Sequence, residues 1–366
     1  MNENIYKQPL VLFLGAGASV PLGKKTTVDF LEWLKSPQPG IDYGHLVSIC
    51  NQIEASGEVN GNQDIEVILD HLEELIHSGE LFEKCGDAEI MRKLEKESYK
   101  RTGVTQLHSW GSITRLDENI RLRDRIKDLV VEHYSEIDEE RALELYSPLL
   151  LRLARSHPLV VFTTNYDLAM EKLHESGVIE LIDAFSDGKY LKPRWAREGY
   201  DFYNPLERNG DVILFKLHGS VDWVRTPSEG IQRIDIPKRD LGGAQRVIAY
   251  PSQLKKAIHE EPYRTNYDYL IACLLHTKVC AVIGFSFRDQ EIVEEFRQAM
   301  ELNEELELII VDPEAEAVRR HLEEKVGLES FTLDPGLKPK HTTMCERLTV
   351  QTVASIADKI AARVEL

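Results

Sequence analysis

Cysteine is scarce and scattered: Cys50, Cys85, Cys273, Cys280 and Cys345 make an odd set of five with no CxxC pair. That pattern excludes a disulfide framework and a zinc ribbon, so free thiols, a reducing cytoplasm and no metal are expected. Long apolar runs are missing too. No stretch reaches the roughly 18 residues that span a bilayer, so no membrane association is expected. The start, MNENIYKQPLVLFLGAGAS, has an apolar run of only about five residues before its glycines, which reads as a strand and not as a signal peptide. Positive charge is in deficit, with 44 Lys and Arg against 62 Asp and Glu, a formal net charge of -18. Such a surface repels a phosphate backbone, so direct nucleic-acid binding is not expected, and any anionic nucleotide must be held by local donors. Internal repeats and low-complexity linkers are likewise absent from the sequence.

What is present is ordinary material for a large core: 366 residues, 42% of them hydrophobic. That length suits one domain with an insertion, or two domains. Five short runs are apolar at nearly every position and end in Gly, Asn or polar residues: PLVLFLG at 9–15, LVVFTTN at 159–165, VILFKLHG at 212–219, VCAVIGFS at 279–286 and LELIIVDP at 306–313. Runs of this kind are buried on both faces, as in a parallel sheet. Helical patterns follow them at 167–174 and 289–302, the second with Ile292, Val293, Phe296 and Met300 near a 3.6 period. The expected class is therefore α/β, a doubly wound, mostly parallel Rossmann-like sheet. Residues 36–146 lack such a strand run and read as a helical insertion, leaving a discontinuous core at 1–35 and 147–335 and a helical tail at 336–366. From His218 to about Tyr250 the pattern reads as a small β excursion.

Polar clusters fall at the ends of the five runs. In GAGAS, Gly15, Ala16, Gly17 and Ser19 follow the first run, where glycines allow close backbone approach and loop N–H groups can face a diphosphate. A plain strand-to-helix turn reads the same way. The tetrapeptide TNYD occurs twice. The first copy places Thr164, Asn165 and Asp167 at a strand's carboxyl end, where ligands bind in open α/β sheets. The second opens a helical run, where Thr265 or Asn266 suits an N-cap. LHGS can point His218 into the same crevice, or keep it as a core histidine bonded to a carbonyl. In GFSFRD, Gly284 and Ser286 can approach a ligand, while Ser286 or Asp289 can equally cap a helix. Asp312 can accept from ribose hydroxyls or simply turn the chain before Pro313.

In order, GAGAS, TTNYD, LHGS, GFSFRD and IIVDP, the chain resembles the sirtuin-type NAD-binding fold in its bacterial SIR2-like branch, over roughly residues 8–30 and 150–315. Sirtuins write the second motif TQNID, so Asn165 and Asp167 fall on its Asn and Asp, His218 on the histidine of the HG motif, and Gly284 and Ser286 on the Gly-x-Ser that lines the cofactor's ribose and phosphates. The resemblance implies that Asn165 orients the ribose and attacking water, Asp167 engages the nicotinamide end, and His218 is the base. Two departures matter. The stretch after His218 has no cysteine until Cys273, so the deacylases' four-cysteine zinc module is missing, and so is the Phe–Arg pair of their first loop. The resemblance therefore points to an NAD hydrolase of antiphage defence, an abortive-infection effector that yields ADP-ribose and nicotinamide. It implies restraint by homo-oligomerisation or by a partner such as a HerA-type ATPase. A protein deacylase that has shed its zinc and a non-catalytic NAD or ADP-ribose sensor are the alternatives.

Overall fold

The five apolar runs become neighbouring strands. In the computed structural model, which describes residues 9–56, 63–85, 115–155, 159–185, 211–226, 230–234, 245–248, 259–327 and 340–364, they are β1 (Leu10–Leu14), β2 (Leu159–Thr163), β4 (Asp211–Lys216), β8 (Val279–Ile283) and β9 (Glu307–Val311). With the short β3 (Glu180–Ile182) and β10 (Lys340–Met344) they form a seven-stranded sheet in the order β10-β9-β8-β1-β2-β4-β3. Every pairing in it is parallel. All residues of β1, β2 and β8 are buried, because each strand is covered on both faces.

Strand alternation sorts the core into two layers. Leu10, Leu12 and Leu14 face a layer shared with α6 (Glu139–Ala154), α7 (Ala169–Glu175) and α11 (Val353–Val364). Val11 and Phe13 face α8 (Tyr263–His276), α9 (Gln290–Leu302) and α10 (Ala315–Val326). The sheet is thus doubly wound. From β1 the chain moves outward through β2 to β4 and β3, and it later returns through β8 to the other side of β1. That reversal leaves a crevice beyond the carboxyl ends of β1 and β8, the usual ligand position in such sheets.

The chain divides into two compact units. One lies within Met1–Lys24, Tyr134–Ala249 and Leu254–Leu366, and the other chiefly within Lys25–His133. The second unit is helical where described, with α2 (Thr27–Leu34), α3 (Tyr43–Ser56), α4 (Ile65–Cys85) and most of α5 (Leu116–Ser135). Inside it, Glu73 of α4 takes Lys127 at 2.6 Å and Arg123 at 3.2 Å from α5. Residues 57–62 and 86–114 of the expected insertion lie outside the described residues. The first unit takes in α6, which the sequence pattern assigned in part to the insertion; its Leu145, Tyr146 and Leu149 are core residues.

The expected β excursion is a three-stranded antiparallel sheet, ordered β6-β5-β7, from β5 (Gly219–Thr226), β6 (Gly230–Arg233) and β7 (Gln245–Ile248). Two readings need correcting. The tail is not wholly helical: KHTTM at 340–344 is an edge strand in register with β9, and only Met344 of it is buried. The second TNYD is not a cap, since α8 begins at Tyr263 with Pro262 at its N-cap and no side-chain cap bond.

Candidate functional site

The GAGAS turn begins where β1 ends. The Gly15 N–H donates to Ile283 O at 2.9 Å and the Gly17 N–H to Gly284 O at 2.9 Å. Gly284 sits at φ 64, and a Cβ on it would lie 2.4 Å from Ala18 N. A Cβ on Gly15 would lie 2.5 Å from Gly284 O, and one on Gly17 would lie 2.8 Å from Gly284 Cα. These glycines are therefore demanded by two turns pressed together, whatever else binds there. Within the turn, Ala18 N–H returns to Gly15 O at 2.9 Å, so fewer amides face outward than the sequence suggests. Among the described residues, half-buried Ala16 keeps an N–H with no backbone acceptor.

The first TNYD locks onto that turn. Asn165 Nδ2 donates to Gly15 O at 3.0 Å and to Ser19 Oγ at 2.9 Å. A carbonyl acceptor fixes which end of the amide is nitrogen. Its Oδ1 has no donor among the described residues, and the side chain is half-buried. Ser19 Oγ donates in turn to Asp167 Oδ2 at 2.6 Å, while Asp167 Oδ1 accepts from Ala169 N–H at 3.0 Å. Both Asp167 oxygens are thus engaged within the protein. Burial raises the Asp167 carboxyl above the usual range, and the Lys216 charge opposes that rise. Thr164 N–H ties β2 to β1 through Leu14 O at 3.1 Å.

Lys216, the last residue of β4, is 2% exposed. Its Nζ donates to Asp167 O at 2.5 Å, Ser220 Oγ at 2.7 Å and Glu171 Oε1 at 3.0 Å. The second TNYD reaches the same residue from the opposite face: Asn266 Nδ2, fully buried, donates to Lys216 O at 2.9 Å. A cavity of about 10 Å³ beneath the turn is lined by Ser19, Tyr146, Asn165, Asp167, Glu171 and Lys216 among others. That is room for one water, beside a Glu171 Oε2 that is buried without a partner.

His218 follows two residues later. It is nearly buried, and its Nε2 lies 2.9 Å from Asp289 Oδ2. The Tyr166 ring lies 6.3 Å from the imidazole. Asp289 is also the N-cap of α9, its Oδ1 accepting from Glu291 and Ile292 N–H at 3.0 and 3.4 Å. The loop before it alternates. Phe285 and Phe287 are buried against one another, with Phe13 and Phe296 beneath them at ring distances of 4.8 and 5.2 Å. Ser286 and Arg288 are exposed. Phe287 holds φ 54, a left-handed backbone that costs a non-glycine residue of order 1–3 kcal/mol and persists only where packing enforces it.

The structure therefore brings Gly15, Gly17, Ser19, Asn165, Asp167 and Gly284 into one bonded cluster, with Ala16 inside the same turn and Thr164 tied beside it to Leu14. His218 lies in the turn two residues past the end of β4, the strand paired with β2. Asp312 stands two strands away from β1 with its Oδ1 accepting from Glu314 N–H at 2.9 Å, the turn role. Residues 159–331 match the family model described as a SIR2-like domain. Solved Sir2 structures align along its whole length at low similarity. One is a mutant Sir2 homologue in complex with ADP ribose, at 12% identity and TM-score 0.43, covering 100% of this chain and 99% of that one. Another is a Sir2 homologue–NAD complex, at 12% identity and TM-score 0.41, covering 100% and 94%. No curated protein matches the sequence.

The matched stretch begins at β2 and leaves out GAGAS, yet Asn165 and Gly284 bond that turn to it. Sequence reasoning missed Lys216 and Glu171, and it saw in Asp289 only a cap. A lysine inside the apolar run VILFKLHG was the available signal, because a buried lysine demands paired acceptors.

Proposed function

We propose that the SIR2-like domain hydrolyses NAD at the nicotinamide–ribose bond, giving ADP-ribose and nicotinamide. One observation carries this reading. Asn165 Oδ1 and the His218 ring sit at the carboxyl ends of adjacent strands, each keeping an acceptor that no described residue uses. Two open acceptors at neighbouring strand ends suit the hydroxyl donors of a ribose or an attacking water.

In the reaction, water oxygen bonds to the ribose anomeric carbon as the bond to the ring nitrogen breaks. The electron pair of that bond stays with nicotinamide, which leaves neutral. Asn165 orients the water or ribose hydroxyl, and His218 takes the water's proton and passes it to solvent. Asp167, with both oxygens committed, holds Ser19 and the α7 turn in place instead of touching the nicotinamide. Gly15, Ala16, Gly17 and Gly284 shape the floor for the diphosphate, Ala16 N–H being the donor left open. Exposed Ser286 and half-buried Asp312 are proposed ribose contacts at the rim.

We further propose that this activity serves antiphage defence by abortive infection, with restraint by self-assembly or by a HerA-type ATPase acting through the helical unit. The test is product analysis after mixing the protein with NAD. Asn165→Ala and His218→Ala should fold as the parent does and lose activity, the histidine variant by about 10²–10⁴-fold. Both variants consuming NAD at the parent's rate would sink the assignment, and nicotinamide release that requires an acetyl-lysine peptide would replace hydrolysis by deacylation.

A further inference from the structure

We infer that Asp289 is a positioning residue for His218: it fixes the imidazole with the proton on Nε2 and leaves Nδ1 as the base. The inference rests on the proposed NAD cleavage for its kinetic part and on geometry for its tautomer.

The pair is unusual in where it forms. His218 follows β4 and Asp289 follows β8, with β1 and β2 between those strands. Three strand spacings amount to roughly 14 Å. The GFSFRD loop must therefore reach across the crevice over the ends of β1 and β2 to bring Asp289 within 2.9 Å of Nε2. Two features hold it there. The Phe285 and Phe287 rings anchor the loop into the aromatic cluster under β1, and the left-handed backbone at Phe287 turns the chain two residues before Asp289.

The carboxylate itself has no rotational freedom to spare. Oδ1 is fixed by two backbone N–H groups at the start of α9, which leaves Oδ2 alone for the imidazole. A carboxylate oxygen only accepts, so Nε2 must carry the hydrogen. Nδ1 then keeps its lone pair, and among the described residues it has no partner. Both side chains are nearly buried, at 5% and 7% exposure, so water does not compete for the contact. During proton transfer a water O–H bond breaks and the proton goes to Nδ1, while the Nε2–H bond to Asp289 persists. The same division of labour between an orienting carboxylate and a basic imidazole serves hydrolases of unrelated folds.

The discriminating variant is Asp289→Asn. Asparagine caps a helix as well as aspartate does, and its Oδ1 must stay on the two backbone N–H groups. Its NH2 then faces Nε2 and donates to it, forcing the hydrogen onto Nδ1 and removing the base. Expected are an unchanged melting temperature, a fall in kcat of about 10²–10⁴-fold with KM little altered, and a reversal of the tautomer in the 15N shifts of the neutral His218 ring. Asp289→Ser, which caps but does not reach the ring, should lose activity without fixing either tautomer. A folded Asp289→Asn protein that turns NAD over at the parent's rate, or a parent whose neutral His218 carries its hydrogen on Nδ1, overturns the inference. If the parent itself does not cleave NAD, the hydrolase reading fails while the tautomer measurement still decides the pairing.

Discussion

The two TNYD tetrapeptides share four letters and almost nothing else. The first sits in the turn after β2, where Asn165 grips the neighbouring glycine turn and Asp167 is buried against Ser19. The second lies within the first two turns of α8, where Asn266 is fully buried, Thr265 is buried and Asp268 is exposed. Both converge on Lys216, one through its ammonium and one through its carbonyl. One copy leaves an acceptor open at a strand edge, and the other spends its amide bracing the strand from behind. A motif's chemistry is set by which backbone it interrupts, not by its letters.

Breaking the shared anchor should have the largest effect on stability. Lys216→Met leaves Glu171 buried without its cation and frees the backbone of the first copy, a loss of roughly 3–5 kcal/mol. Adding Glu171→Gln should recover part of it, as measured by urea titration; no recovery would mean that the pair is not what holds the site. Next comes the direct contrast. Asn165→Ala should reduce NAD turnover by about 10²–10³-fold with modest loss of stability, if its role is that of a single positioned polar group. Asn266→Ala should strand the buried Lys216 carbonyl at a cost of roughly 1–3 kcal/mol, while turnover per folded molecule holds. The reverse result would exchange the roles of the two copies.

The smallest effect concerns the neighbourhood of Asp268 in the second copy. Glu295 of α9 is pushed up to about 7 from 4.5, chiefly by burial and then by Glu294, Asp268 and Glu291. A folded-state carboxyl raised above its unfolded value binds more protons when native. Stability is therefore lost as pH rises from 4.5 through about 7. Glu295→Gln should be more stable than the parent at pH 8 by roughly 1 kcal/mol after solvent screening, with the gap closing toward pH 4.5. A gap independent of pH would mean that the Glu295 carboxyl is not raised by its surroundings.

The sheet was legible because its central strands are buried on both faces and so write themselves as unbroken apolar runs. β10 was not, since an edge strand with one buried residue carries no such run. Of the site, the strand-end clusters were visible from where Gly, Asn and His interrupt those runs. The internal wiring was not. That Asp167 faces inward onto Ser19, that Asn266 spans to Lys216 and that Asp289 reaches His218 are facts of pairing across 148, 50 and 71 residues of separation. Local pattern reports a residue's own surroundings along the chain and carries no record of such partners. Lys216 was passed over for a related reason: a charge within a buried run can be interpreted only once its acceptors are known.

The interlocked turns also bear on inheritance. Gly15, Gly17 and Gly284 occupy the space where each other's Cβ atoms would stand, so replacement of any one strains the sheet's own closure before a ligand is considered. A descendant that had abandoned chemistry altogether would still be obliged to keep all three. Among such proteins, retained glycines therefore say only that the architecture endures, and it is the fate of the amide, the imidazole and the carboxylate beside it that would reveal whether the reaction does.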